Sequence, residues 1–187
     1  MTAQEFWRRF RNDIYQNPAL GALWNDTAAF TEAILRRLET VISEEGCRTE
    51  REYFRVDLIS YRGHVTGNEP LLGSLKRYSW DLVTAVEHEN DRRLWMDEVV
   101  KLAHVACELR VVIGYLPLHD THTHKEYLEK IAEHLQEMTA WQATKDCGEF
   151  MILIGDCKLD EQDKTARCMY TPYVYRDGRF VCPPWKS

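Results

Sequence analysis

The chain has 187 residues, of which 44% are hydrophobic and 29% charged, a balance typical of a folded globular domain. No apolar stretch approaches the roughly 20 residues that a bilayer-spanning helix needs, so a transmembrane helix is excluded and no membrane partner is expected. The 24 basic and 30 acidic residues give a formal charge of −6, which argues against nucleic acid binding through a broadly basic surface but leaves room for a local basic patch.

The N-terminus does not resemble a secretory signal, because residues 1–9 contain no apolar core. The six cysteines include no C-x-x-C pair, so neither a zinc ribbon nor a thioredoxin motif is predicted. We therefore expect reduced thiols and a cytoplasmic protein.

Helical periodicity dominates the first 46 residues. A first helix is predicted over residues 3–15, because Pro18 disfavours helix in the residue before it. A second helix is predicted over residues 26–45, with a glycine as its stop. The helical period places Glu45 on the apolar face of this second helix, which is formed by Phe30, Ile34, Leu38 and Val41.

Two strands are predicted next along the chain. The first covers residues 52–61, which are rich in aromatic and β-branched side chains, and has Asp57 near its centre. A loop with three glycines and a proline follows over residues 63–73. The second strand covers residues 81–89 and ends in Glu87-His88-Glu89.

The second half of the chain alternates helix and strand. A helix is predicted from about residue 91 to 106, and another over residues 125–144. Nearly continuous apolar runs at residues 109–116 and 150–155 are typical of strands covered on both faces. An Asp-Gly turn predicts a final hairpin over residues 173–182.

These elements predict a single α/β domain with a central mixed β-sheet flanked by helices. Its expected parts are a helical segment over residues 1–46, an α/β core over residues 52–156 and a C-terminal hairpin over residues 170–182. The strand–helix–strand unit within the core is expected to be parallel and right-handed.

Acidic residues at the end of the second strand are the strongest functional signal. Glu87 and Glu89 are two residues apart on a strand, so both carboxylates are expected on one face, where they repel each other. A divalent cation such as Mg²⁺ would relieve the repulsion, and Asp57 on the neighbouring strand could supply a third oxygen. The alternative is that one glutamate pairs with Arg55 or Arg110 while the other faces solvent.

The order of these features, over about residues 28–116, resembles the PD-(D/E)xK superfamily, also called the restriction-endonuclease-like fold. The shared features are a helix ending in an acid, a strand with a central Asp, a strand ending in an acid-x-acid pair, and then a helix and a strand. The resemblance implies that Asp57 and Glu87 hold one or two Mg²⁺ or Mn²⁺ ions. It also implies that Glu45 corresponds to an acid that some members place on the preceding helix.

The chain departs from the family pattern at two positions. Val56 stands where the motif has proline, and Glu89 stands where lysine is usual. Lys101 on the following helix could replace that lysine, because it shares a helical stripe with Leu94, Glu98 and Val105. Alternatively, Lys101 and Glu98 form an ordinary surface ion pair.

The activity implied by the resemblance is metal-dependent hydrolysis of DNA phosphodiester bonds, with Asp57, Glu87, Glu89 and Lys101 as catalytic residues. The metal would neutralise the carboxylates, which would otherwise repel the phosphate. The main alternative is a catalytically inactive binding or assembly module of the same fold. Many proteins of this fold act as dimers, so the resemblance also admits a homodimer.

A separate hypothesis concerns the three histidines of one short segment, His119, His122 and His124. Imidazole suits Zn²⁺ and Ni²⁺, and the segment follows a predicted strand, where α/β sheets often place functional loops. A small-molecule hydrolase that uses zinc at these histidines is therefore a third interpretation.

Overall fold

One seven-stranded sheet organises the computed structural model, which describes residues 1–63, 80–91, 93–116, 121–159 and 166–186. The strands lie side by side in chain order: β1 Cys47–Tyr53, β2 Val56–Gly63, β3 Trp80–His88, β4 Leu109–Tyr115, β5 Glu149–Leu159, β6 Ala166–Arg176 and β7 Arg179–Val181. Strand β4 pairs in parallel with β3 and β5, and every other pair is antiparallel. The predicted α/β class with a mixed sheet is confirmed.

Helices cover both faces of the sheet. They are α1 Ala3–Asp13, α2 Pro18–Gly21, α3 Thr27–Val41, α4 Trp95–Ala103, α5 Thr121–Glu137 and α6 Thr139–Thr144, with short 3-10 turns at Lys145–Cys147 and Pro184–Lys186. Helices α1–α3 bury their apolar residues against one face, together with Leu58 and Val86. Helices α4–α6 pack on the other face, together with Ile59 and Ala85. Neighbouring strand residues thus enter opposite cores, as the pleat requires.

The second predicted helix is shorter than expected, which changes the position of Glu45. Helix α3 ends at Val41, and the Arg9 guanidinium donates to the carbonyl oxygens of Val41 and Ser43 just beyond that end. These bonds satisfy carbonyl groups that would otherwise accept from a further helical turn. Glu45 therefore lies exposed in the turn before β1, and its predicted place on an apolar helical face is wrong.

The strand predicted over residues 52–61 is two strands joined by a tight hairpin turn. Tyr53 ends β1 and is paired with Val56 at the start of β2, which leaves Phe54 and Arg55 as the two turn residues. Their φ angles are 47° and 66°, the positive values that a type I′ turn requires. The usual Asn-Gly or Asp-Gly signal is absent, so this turn could not be recognised from the sequence.

The C-terminal half differs from the prediction mainly at its helix boundaries. The helix expected over residues 125–144 is divided into α5 and α6, because Met138 adopts an extended conformation between them. The expected final hairpin is confirmed, with Asp177 and Gly178 at positive φ between paired Arg176 and Arg179.

One cysteine departs from the expectation of reduced thiols. Cys168 on β6 is disulfide-bonded, and in the strand register it stands opposite Cys157 of β5. The thiols of Cys47, Cys107, Cys147 and Cys182 are free.

None of the helices in the part of the chain that the structure describes is both long and apolar enough to cross a membrane.

The β1–β2 turn yields a direct test of the fold. Arg55→Gly should raise the free energy of unfolding by about 1 kcal/mol, because glycine adopts a positive φ without the cost that a Cβ brings. Urea unfolding followed by circular dichroism measures the change. Arg55→Ala is the matched control: it removes the same side chain but keeps the Cβ, so it should bring no such gain. Equal effects of the two variants would contradict the turn.

Candidate functional site

Two of the predicted acids meet on the α4 face of the sheet. Asp57 and Glu87 lie one step beyond the paired residues Leu58 and Val86 of the antiparallel strands β2 and β3, which makes them cross-strand neighbours. A hydrogen bond joins their carboxyl groups. The backbone N–H of His88 also donates to Asp57 Oδ2 over 2.8 Å. The Asp57 carboxyl on β2 is therefore held by the backbone of β3, the strand that carries Glu87.

Lys101 of α4 completes this cluster. Its Nζ lies 2.8 Å from Glu87 Oε1 and pairs with Glu98 one helical turn earlier. The same ammonium group donates to the carbonyl oxygen of Arg55 in the hairpin turn over 2.9 Å. Lys101 thus forms the ion pair with Glu98 on its own helix that one interpretation predicted. It also reaches Glu87 on β3, as the alternative interpretation required.

Packing of α4 explains why its lysine reaches the strands. Trp95, Val99 and Leu102 form the buried stripe of the helix and lie against the sheet. Trp95 packs on Gly114 of β4 so closely that a Cβ there would stand 2.5 Å from the indole Cγ. The glycine lets the helix approach the sheet, which brings Lys101 on its flank within reach of Glu87.

The cluster contains more acids than bases. Asp57, Glu87 and Glu98 supply three carboxyl groups, whereas Lys101 supplies one ammonium group. Burial raises the pKa of Glu87 to about 8, an effect that the hydrogen bond from Lys101 reduces and the nearby Asp57 reinforces. Burial also raises the pKa of Asp57. At neutral pH the Glu87 carboxyl therefore holds a proton and donates it in the bond to Asp57.

Lys101 itself remains charged in this setting. Burial opposes its positive charge, but the hydrogen bonds to Glu87 and Glu98 outweigh that effect and raise its pKa. The lysine therefore provides a permanent positive charge at one side of the carboxyl pair.

Glu89, the other acid of the predicted pair, does not join the cluster. Strand β3 ends at His88, so the alternation that would carry Glu89 to the face of Glu87 stops one residue too early. The Glu89 carboxylate accepts a hydrogen bond from the backbone N–H of Asp91 over 2.7 Å. Among the described contacts it has none with Asp57, Glu87 or Lys101, so the expected arrangement of two glutamates on one face is wrong.

The expected arginine partners are also placed elsewhere. Arg110 is buried and donates to the carbonyl oxygens of Val105 and Thr144, with its guanidinium 5.2 Å from the ring centroid of Trp141. Arg110 therefore bonds to backbone carbonyls at the ends of α4 and α6, and none of its described contacts is with Glu87 or Glu89. Arg55 contributes its backbone carbonyl to Lys101, and none of the described ion pairs joins it to a glutamate.

A buried histidine on the opposite face was missed by the sequence reasoning. His88 is only 6% exposed, and its Nε2 lies 2.8 Å from the hydroxyl of Tyr115, which in turn lies 3.2 Å from the hydroxyl of Tyr170. Burial lowers the pKa of His88 to about 3, against a smaller opposing effect of its own backbone, so the ring is neutral. Successive residues of a strand point to opposite faces, so the expected face of Glu87 could have placed His88 on the other face.

The described part of the three-histidine segment is helical. Helix α5 begins at Thr121, so His122 and His124 belong to its first turn, while His119 lies outside the described residues. His124 is buried, and its Nδ1 lies 3.5 Å from the hydroxyl of Tyr173.

Comparison of the chain with protein-family models, with curated proteins and with solved structures finds no match. Within the described residues, no group of three or more His, Cys, Asp and Glu side chains is arranged to hold a metal ion. The resemblance to the PD-(D/E)xK superfamily therefore rests on the order of the sequence features alone and remains a prediction.

The protonated Glu87 leads to a stability prediction. Between the ordinary pKa of a glutamate, 4.5, and about 8, the native state holds a proton that the unfolded chain releases, so stability falls as pH rises across this window. The contribution of Glu87 has a slope of up to about 1.4 kcal/mol per pH unit. Urea unfolding from about pH 5 to about pH 8 measures it.

Comparison with variants isolates the contribution of this one residue. Glu87→Gln should flatten the curve, because an amide does not titrate, whereas Glu129→Gln on the exposed side of α5 should leave the curve unchanged. Parallel curves for the wild type and Glu87→Gln would show that Glu87 is not the group that holds the proton.

Proposed function

We propose that this chain is a metal-dependent nuclease of the PD-(D/E)xK, or restriction-endonuclease-like, superfamily that hydrolyses phosphodiester bonds of DNA. The observation that carries the proposal is the meeting of Asp57, Glu87 and Lys101 at one place. These residues come from two strands and a helix, and they are the two acids and the basic residue that phosphodiester cleavage by this superfamily requires.

The order of elements supports the same proposal. Helix α3 is followed by β1, and then strand β2 with Asp57, strand β3 with Glu87, helix α4 with Lys101 and strand β4 come in the order that the resemblance implies, although Asp57 is the second residue of its strand and not central. The lysine comes from the helix instead of the strand position held by Glu89. Its ammonium group nevertheless lies within ion-pair distance of Glu87, the second metal acid of the motif.

The chemistry of the acid pair suits Mg²⁺ or Mn²⁺. Mg²⁺ usually takes only one or two protein carboxylates and completes its shell with water and substrate oxygens, so Asp57 and Glu87 suffice as protein ligands. Neither Glu45 nor Glu89 is part of this proposed site. The excess of carboxyl groups over cations favours a divalent ion in place of the shared proton. When bound, the ion would lower the pKa of a water molecule and neutralise charge on the phosphate.

Each residue of the cluster then has a defined part. Asp57 keeps its orientation through the N–H of His88, and Glu87 would be a ligand of the ion after losing its proton. Lys101 holds a positive charge beside the acids, where it would stabilise negative charge that develops on the phosphate. Glu98 is a positioning residue, because it touches the ammonium group of Lys101.

A hairpin turn next to the cluster offers contacts for DNA. The β1–β2 turn is held over the site by the bond from Lys101 to the Arg55 carbonyl. Phe54 in this turn is 74% exposed, and Arg55 is exposed beside it. A guanidinium and an aromatic ring are the groups that contact phosphates and stack on bases, so this turn supplies a local surface for nucleic acid despite the net charge of −6.

A second candidate is an inactive binding or assembly module of the same fold. The observation in its favour is that Lys101 already forms ion pairs with Glu87 and Glu98 and donates to the Arg55 carbonyl. These contacts compensate its positive charge without a substrate. The two candidates differ in whether DNA is cleaved when metal is supplied.

Metal binding is the first consequence to test. Mn²⁺ at about 100 times its Kd should stabilise the protein by about 2.7 kcal/mol, which corresponds to a Tm increase of roughly 5 to 10 °C. Differential scanning fluorimetry measures the shift. Glu87→Gln should abolish the shift, because the site loses one of its two carboxylates, whereas the matched variant Glu129→Gln should keep it. A shift that survives Glu87→Gln would place the bound metal elsewhere.

Cleavage of DNA separates the two candidates. With Mg²⁺ or Mn²⁺ present, the nuclease should cut double- or single-stranded DNA, and Asp57→Asn and Glu87→Gln should each lower the rate by about 100-fold or more. Gel analysis of labelled DNA gives the rates, and identically purified variants exclude a contaminating nuclease. Metal stabilisation without any cleavage would reject the nuclease and favour the module.

A further inference from the structure

The tip of the β1–β2 hairpin carries an aromatic ring that the fold does not bury. Phe54 is 74% exposed, more than any other large hydrophobic side chain in the described part of the chain. The next two, Leu94 and Met169, lie on other elements: Leu94 stands about two helical turns before Lys101 on α4, and Met169 lies on β6. An apolar interface with another protein needs a contiguous patch, and these residues do not form one.

The backbone that carries this ring is strained. Five non-glycine residues of the described chain have a positive φ, and Glu52, Phe54 and Arg55 are three of them. A turn built from Asn-Gly would adopt the same conformation at a lower cost. The hairpin therefore presents a phenyl group and a guanidinium at its tip where smaller residues would fold more easily, which points to a role for these side chains outside folding.

Tyr53 fixes the position of the Phe54 ring. The centroids of the two rings are 4.5 Å apart, and the ring planes are nearly perpendicular, at 88°. In a perpendicular pair Tyr53 covers at most one face of the Phe54 ring, so at least one face stays open to a stacking partner. Because Tyr53 packs against the core on the α4 side of the sheet, the ring of Phe54 rests on the side that carries the acid cluster.

One ammonium group joins the turn to the acid cluster. Lys101 Nζ lies 2.9 Å from the Arg55 carbonyl oxygen and 2.8 Å from Glu87 Oε1. A phosphate bound at the cluster would therefore lie next to the turn, with the base of an adjoining nucleotide beside Phe54. The Arg55 guanidinium is exposed, and none of the described ion pairs includes it, so it is available to a phosphate of the same strand.

Stacking on an exposed ring distinguishes single strands from duplexes. In a duplex both faces of a base are covered by its neighbours, and the base must be unpaired and turned out before a protein ring can reach it. A single strand offers its base faces without that cost. Proteins that bind single strands combine aromatic rings with cationic side chains, which is the combination found at Phe54 and Arg55.

We propose that Phe54 is a stacking platform for an unpaired base, and that the substrate of the candidate site is single-stranded DNA. The base stacks on the open face of the Phe54 ring while Arg55 contacts a phosphate of the same strand. The inference rests on the proposed nuclease function, because the acid cluster is what would bring a DNA strand to the turn.

DNA binding without metal tests the proposal on the whole chain. The probe is a fluorescein-labelled strand of about 16 nucleotides, alone or annealed to its complement, and fluorescence anisotropy in EDTA gives the Kd of each form. The single strand should bind at least about fivefold more tightly than the duplex. Phe54→Ala should weaken single-strand binding roughly tenfold, because one stacked base is lost, and should leave duplex binding nearly unchanged.

Further variants separate stacking from apolar bulk. Phe54→Trp keeps an aromatic ring and should bind the single strand as the wild type does, whereas Phe54→Leu should be as weak as Phe54→Ala. Met169→Ala removes an exposed apolar side chain from β6 and is the matched control, so it should not change the Kd. Equal affinity for strand and duplex, no measurable binding, or wild-type binding by Phe54→Ala or Phe54→Leu would overturn the proposal.

Cleavage rates in Mn²⁺ keep the two proposals apart. Phe54→Ala should raise the KM for the single strand about tenfold and leave kcat within about twofold, because the stacked base contributes equally to ground state and transition state. Absent cleavage of both forms would reject the nuclease and with it this substrate, whatever the Kd values in EDTA. Cleavage of strand and duplex at equal rates, with Phe54→Ala as active as the wild type, would reject this inference alone.

Discussion

The contact between the Asp57 and Glu87 carboxyl groups is the interaction on which the site depends. Two buried acids side by side are unfavourable unless a proton or a cation lies between them. Lys101 offsets part of this charge, but it is shared with Glu98, so one positive group faces three carboxyls. The raised pKa of Glu87 follows from that imbalance. Metal binding and phosphodiester chemistry are proposed for this cluster because a divalent ion would correct the same imbalance.

Strand alternation explains both how much of the site could be predicted and where prediction failed. The pattern of β2 and β3 correctly paired Asp57 with Glu87, because both strands continue through these residues. It failed for Glu89, because β3 ends one residue earlier, and for Glu45, because Arg9 takes the carbonyl oxygens at the end of α3. The failure at Glu45 depends on a tertiary contact, which local periodicity does not contain, whereas the failure at Glu89 reflects a strand end that periodicity does not mark.

The overall fold was easier to predict than its turns. Apolar runs at β4 and β5 identified buried strands, and the Asp177-Gly178 turn marked the last hairpin. The Phe54-Arg55 turn was invisible because neither residue favours a positive φ. Strain of this kind is retained where other interactions hold it, and the bond from Lys101 to the Arg55 carbonyl is such an interaction. A turn that local sequence signals do not mark therefore lies beside the candidate site.

A crystal structure of the protein soaked in Mn²⁺, with anomalous diffraction data, tests the central claim most directly. The account predicts one strong anomalous peak at roughly 2.0 to 2.2 Å from carboxylate oxygens of both Asp57 and Glu87, with the carboxyl groups no longer bonded to each other. No peak at that position, with the two carboxyls still sharing a hydrogen bond beside Lys101, would contradict it.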